Sequence, residues 1–344
     1  MTVIDAHSHL YLPSYLDLLA ERREIPRVVR GEDGDRLVTF PEEQHSSGPG
    51  GRPITPAFWD VDVKLRFMDE QGIDRAIVTL GNPWLDPFDG PEAASTARSL
   101  NAELAALHDR TAGRILCAGV LPSDSVESAV AVLAEIGETP TLFGVGGGPV
   151  VCGHHADEPE LDPLWDALEA TGVPYLLHPK GETAIEDLRG YGAPLPVAIG
   201  FPMETTIALS RLALGGVLER HPGLRIVAAH GGGAIPYLVG RLDMVWGGND
   251  GLRERLASPP SEGLKRLYLD AVLYTAGAAR AAADLVGPDR LLFGTDHPWH
   301  SVGEPLERAF DERALERIRR GTAVELFGLQ GVGPGVAPEG ERRG

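Results

Sequence analysis

Short apolar, β-branched runs alternate with longer segments of helical period from one end of the chain to the other, the pattern of repeated βα units around a parallel sheet. The strand-like runs fall at residues 3–6, 75–80, 115–121, 142–146, 174–178, 225–230, 267–272 and 290–294. The helical segments fall at 63–71, 91–111, 125–136, 161–170, 204–220, 234–246, 276–286 and 312–326. Eight of each predict an α/β fold of the (β/α)8 TIM-barrel type, which commonly takes about 250 residues and more with insertions. A doubly wound sheet of six strands is the competing arrangement. Two stretches stand outside the alternation. Residues 31–56 form a polar, Gly/Pro-rich insertion after the first strand, long enough to be a functional lid over the active site or a disordered excursion. Residues 330–344 have no apolar periodicity and read as a disordered tail, leaving one domain over residues 1–329.

Composition narrows the class without choosing a chemistry. The 344 residues include 43 Gly and 28 Pro, too many for a helical bundle and suited to many strand-to-helix turns. A formal charge of −19 repels polyanions, so neither nucleic acid nor an anionic membrane surface is an expected partner. No apolar run reads as a spanning helix, and MTVIDAHSHL lacks a secretion signal, so the expectation is a cytoplasmic protein. The two cysteines, Cys117 and Cys152, lack CxxC spacing and make neither a disulfide framework nor a cysteine zinc site.

The candidate chemistry lies in histidines at strand ends. In VIDAHSH, His7 and His9 are i and i+2 on one strand and share a face, although alone they read equally well as ordinary polar residues. His178 closes VPYLLH, His230 closes LRIVAAH, and Asp296 follows LLFGT. All five then fall on the carboxyl rim, the catalytic face of a barrel. Imidazoles and a carboxylate suit a mononuclear catalytic centre for a divalent cation such as Zn²⁺, with Mn²⁺ the alternative. The run Gly231–Gly233 after His230 permits a close backbone approach or simply a turn. GVGGGP after the fourth strand has neither a P-loop Lys nor a GxGxxG frame, so nucleotide binding is not expected. Of the remaining histidines, His108 and His221 read as surface residues on helices, His297 and His300 as pocket-lining candidates, and His45, His154 and His155 as weaker ones.

DAHSH (5–9), FPMETTIALSRL (201–212), GGVLERHPGLRIVAAHGGGAIPYLVGRLD (215–243) and LVGPDRLLFGTDHPW (285–299) together resemble the amidohydrolase superfamily. Within it, they resemble the aminocarboxymuconate-semialdehyde decarboxylase-like branch, and the resemblance runs from Val3 to about Leu329. It implies a distorted TIM barrel, metal ligands His7, His9, His178 and Asp296, and catalytic roles for His230 and Asp296. It also implies a carboxylate-binding Arg52, from the segment 51–74, and a pocket-lining Trp299. A homodimer is a further implication. Val197 stands where the muconate-semialdehyde enzyme carries a substrate-contacting aromatic, so the resemblance does not extend to that substrate. Glycines end the fourth strand, where hydrolytic relatives carry a metal-bridging lysine, and Lys180 does not match that place.

The expected reaction is metal-dependent, non-oxidative decarboxylation of an aromatic or unsaturated carboxylic acid. Hydrolysis of a lactone or amide, or hydration of a diacid, uses the same kind of centre and is the alternative. A non-catalytic barrel would require one of the five strand-end positions to be lost, and none is.

Overall fold

The computed structural model describes residues 2–44, 50–181, 185–299 and 306–330. Eight parallel strands form the barrel: β1 (Ile4–Leu10), β2 (Arg75–Leu80), β3 (Ile115–Val120), β4 (Leu142–Gly147), β5 (Tyr175–Leu177), β6 (Ile226–Ala228), β7 (Tyr268–Asp270) and β8 (Leu291–Leu292), hydrogen-bonded in that order. The ring closes beyond β8, where Ala6 N donates to Phe293 O and Asp296 N donates to His7 O, each at 2.8 Å. A TIM barrel is thus the observed architecture.

The parity of β1 decides what faces the site. Its register against β2 shifts between Asp5 and Ser8, a bulge that breaks strict alternation. Ile4 and Ala6 therefore join the apolar interior with Leu116, Leu176, Val227 and Leu292, while His7 and His9, of opposite parity, meet near the rim. Each large aliphatic side chain sealed there contributes about 1.5–3 kcal/mol. Leu326, Phe327 and Leu329 of the last helical turns pack onto the same cluster.

The outer helices that position the site are α1 (Val61–Glu70), α2 (Phe201–Leu214) and α3 (Ile235–Gly247). The predicted helix over 204–220 is two helices: α2 ends at Gly215, and Gly216, at φ +79°, turns the chain into Val217–Arg220. A π turn, Pro196–Gly200, runs into α2 and makes a 19-residue helical stretch, Pro196–Leu214, apolar and long enough to cross a membrane by length and composition. Glu204 and Arg211 interrupt its apolar sequence, and Ala208, Leu209, Leu212 and Ala213 are buried in the fold.

The 31–56 insertion is partly ordered. Arg27–Val29, Arg36–Val38 and Arg52–Pro53 pair as a small antiparallel sheet, so the alternative of a wholly disordered excursion is set aside for its described part. His45, His300 and residues 331–344 of the predicted tail lie outside the described residues. His108 and His221 are not surface residues: they are 5% and 6% exposed. The ring of His108 tilts against Phe143 at 5.7 Å, and His221 Nδ1 lies 3.4 Å from carboxylate oxygens of both Asp166 and Glu169. Each sits where its helix ends and the chain turns back toward the barrel.

Candidate active site

His7 and His9 leave β1, His178 follows β5 directly, His230 stands two residues past β6, and Asp296 four past β8. The fold brings all five together. One ligating atom each from His7, His9, His178 and Asp296 falls within 4.8 Å of the others, and all four residues are buried. His230 joins with Nε2 at 3.8 Å from Asp296 Oδ2. Both His230 and Asp296 hold positive φ, +54° and +56°, which turns their side chains across the strand ends.

Each ring is oriented from behind. His7 Nδ1 meets Asp270 Oδ2 at 2.5 Å, and His9 Nδ1 meets Thr79 Oγ1 at 2.8 Å. His178 Nδ1 donates to Pro179 O at 2.7 Å; a carbonyl only accepts, so Nε2 of His178 carries the lone pair. The outer partners leave the three Nε2 atoms for the centre, where His7 Nε2 and His9 Nε2 are 3.1 Å apart. Asp296 Oδ1 is buried and accepts no hydrogen bond, although it lies 3.2 Å from His9 Nε2. Electron-rich atoms packed this closely, with oriented outer partners, fit a cation.

Electrostatics follow from the same contacts. Burial pushes His9 down to about 4 and holds His178 well below the ordinary imidazole value. Burial acts downward on His7 too, but the Asp270 and Asp296 carboxylates together outweigh it and raise that ring to about 10. For Asp296, burial opposes ionisation, yet the closely surrounding rings of His230, His7 and His9 hold the carboxyl well below the usual range.

Asp270 is the residue missed by motif reading. Besides His7, it accepts from the backbone N–H of His230 at 3.0 Å and of Gly231 at 3.1 Å. Its one signal in the sequence was its place near the end of the seventh predicted strand.

Above the centre opens a cavity of about 630 Å³, lined by His178, His230 and Asp296 on its floor and by Arg52, Tyr274 and Trp299 higher up. Arg52 and Trp299 thus both reach the site. The Arg52 guanidinium lies 4.8 Å from the Trp299 ring centre and 5.3 Å from that of Phe40, and its Nε is 2.7 Å from Glu43 Oε1. Phe58 is buried edge-on against Trp299, at 4.7 Å, as a packing residue. Val197, Ala193, Pro194 and Ala198 make an aliphatic wall. Lys180 turns away, its Nζ 2.8 Å from Asp86 and 2.9 Å from Val150 O. At Gly147, the end of β4, an added Cβ would stand 2.4 Å from Tyr175 Oη, so that strand end has no room for a longer side chain.

The comparisons agree with this geometry. The chain is 27% identical over 338 residues to 2-amino-3-carboxymuconate-6-semialdehyde decarboxylase of Dictyostelium discoideum, covering 95% of this chain and 91% of the relative. It is 30% identical over 300 residues to a gamma-resorcylate decarboxylase of Rhodococcus jostii, covering 78% and 87%. The crystal structure of Metarhizium anisopliae IDCase in its apo form superposes with a TM-score of 0.90 at 32% identity, covering 96% of this chain and 97% of that one. The profile of the amidohydrolase family matches residues 4–329, which span the barrel from β1 through its last helix, and the chain belongs to that family.

Proposed function

We propose that this protein is a metal-dependent, non-oxidative decarboxylase of an aromatic or unsaturated carboxylic acid. The observation that carries the reading is the convergence of three inward imidazole nitrogens and Asp296 on the floor of a cavity whose upper wall holds a guanidinium. The decarboxylase relatives support the reaction class.

His7, His9, His178 and Asp296 would hold the cation, which supplies Lewis acidity toward substrate oxygens when bound. Three imidazoles and one carboxylate suit Zn²⁺, and Mn²⁺ accepts the same donors with added waters. In the reaction the C–CO₂ bond breaks and a proton takes its place on carbon, so the electron pair must be received as CO₂ departs. His230 and Asp296, 3.8 Å apart and both facing the cavity, handle that proton. Arg52 binds the carboxylate and Trp299 stacks on the guanidinium that does so. The aliphatic wall and the strand Arg52–Pro53, which brings Arg52 to the cavity, keep water from the reacting carbon.

Two further readings concern the protein's setting. Tyr237 and Met244 on α3 are 87% and 60% exposed, and Met203 and Ile207 expose a second apolar stripe on α2. Exposed large apolar side chains on these two helices support a homodimer, checked by light scattering on the eluting protein. The free thiols of Cys117 and Cys152 suit the reducing cytoplasm.

The reaction is tested by supplying a panel of hydroxybenzoates and carboxymuconates and following CO₂ release. Release that depends on the bound cation is the expected result. Turnover of lactones or amides with no CO₂ from any acid would assign the site to hydrolysis instead.

A further inference from the structure

Behind the strand ends lies a second set of charges that the proposed chemistry leaves unused. Lys64, on α1, is fully buried, an unusual place for an ammonium group. Its Nζ donates to His297 Nδ1 at 3.2 Å, and the His297 ring stacks on Phe67 at 3.9 Å between centres. The connection continues inward. His297 N donates to Thr295 Oγ1 at 3.1 Å, and Thr295 Oγ1 donates to Asp5 Oδ2 at 2.7 Å. Asp5, also fully buried, accepts from Thr295 N at 3.0 Å and His7 N at 3.2 Å as well. Each of these partners is placed to donate to Asp5, against the burial that pushes its carboxyl up from the ordinary value.

We infer that Lys64 is a buried counter-charge to the carboxylates behind this centre and tunes how tightly the site holds a divalent cation. The buried ammonium of Lys64 reaches the buried Asp5 through His297 and Thr295, and His297 directly follows the buried Asp296. A positive charge placed this close to the ligands offsets part of the attraction their surroundings exert on a cation. Without Lys64, negative charge behind the site would lie uncompensated in a low-dielectric interior, which is costly. Glu204, buried on α2, lies outside this group, held by the backbone amides of Lys180 and Gly181 at 3.0 and 2.7 Å. Lys64 touches no ligand, so its role is positioning and electrostatic. It fixes His297, the residue after Asp296, and sets the field in which the cation binds.

The inference rests on the metal reading above, and its test separates the two. A cycle of wild type, Lys64→Met, Asp5→Asn and the double variant is measured for thermal stability without metal and for Zn²⁺ and Mn²⁺ affinity by titration. Removing a positive charge beside the site should lower the melting temperature of the metal-free protein yet tighten cation binding severalfold, because the ammonium repels the cation. A merely structural lysine would weaken binding or leave it unchanged. Asp5→Asn should weaken binding severalfold, and the double variant should return close to wild-type affinity and recover stability lost by Lys64→Met. If Lys64→Met does not fold, Lys64→Gln keeps a donor for His297 without the charge and makes the same comparison. Wild-type protein that binds neither cation removes both readings. Wild-type protein that binds, with affinity unchanged or weakened in the lysine variants, or a double variant whose melting temperature falls by the sum of the two single losses, overturns this one alone.

Discussion

Asp270 Oδ2 stands 2.5 Å from His7 Nδ1 and ties the first strand of the barrel to the seventh. Because the same carboxyl group accepts the backbone N–H of His230 and Gly231, it sets both the orientation of a proposed ligand and the strained backbone of the proposed proton-handling histidine. Asn at this position keeps the size but replaces one acceptor oxygen with an NH₂ donor. Asp270→Asn should therefore lower metal affinity by about 10–100-fold, the usual cost of losing an outer-shell carboxylate. Competition against a chromophoric chelator measures it, and affinity within twofold of wild type would show that Asp270 does not orient His7.

Metal removal should be legible in stability as well as in activity. The ligand cluster packs two imidazole nitrogens 3.1 Å apart beside a buried carboxylate oxygen that accepts no hydrogen bond, an arrangement that a bound cation relieves. At free metal 100-fold above its dissociation constant, binding to the folded state alone adds about 2.7 kcal/mol. Chelated protein should melt at lower temperature and lose turnover, and Zn²⁺ or Mn²⁺ should restore both. Activity that survives exhaustive chelation, verified by elemental analysis of the same sample, would rule out the proposed mechanism.

Arg52 is held by Glu43 and clamped between Phe40 and Trp299, so its plane is set before substrate arrives. Lysine preserves the charge but loses the planar fork and the stacking. Loss of one charged hydrogen bond to a carboxylate is worth about 1.5–3 kcal/mol, or roughly 10–100-fold in substrate affinity. Arg52→Lys should raise KM on that scale with a smaller change in kcat. Steady-state kinetics on any acid that is turned over decides it, and an unchanged KM takes Arg52 out of the binding site.

The barrel was readable from local pattern because each buried parallel strand is a short β-branched run between turn residues, and the five strand-end side chains follow from where those runs stop. Asp270 was not, since a lone carboxylate after RLYL carries no spacing motif; only the closed ring places it behind His7. The pairing of Arg36 with Pro53 in the inserted segment was equally invisible, because residues distant in sequence make that sheet. His108 and His221 misled in the opposite direction. Polar helix positions read as solvent-facing, but here the helix ends turn back on the barrel and bury both rings. Lys64 belongs with them, a lysine on an amphipathic helix whose burial depends on a charge network assembled from β1 and the chain after β8.

Val197 sits in the aliphatic wall of the cavity with Ala193, Pro194 and Ala198, where no side chain offers a charge or a hydrogen-bond donor. A cavity of about 630 Å³ leaves space beside a single aromatic ring, and this wall decides what fills it. An apolar substituent gains by burial there, about 0.8 kcal/mol per methylene, whereas a second carboxylate would lose its water without a partner. Val197→Trp fills that space without touching the proposed ligands or Arg52. The variant should retain turnover of the smallest accepted acid within a few-fold and lose at least about tenfold in kcat/KM for acids bearing an alkyl or fused-ring substituent, since overpacking of this size costs about 1–3 kcal/mol. Paired kinetics on a small and a substituted acid check it. If both decline together, Val197 supports the site as a whole and the wall does not select the substrate.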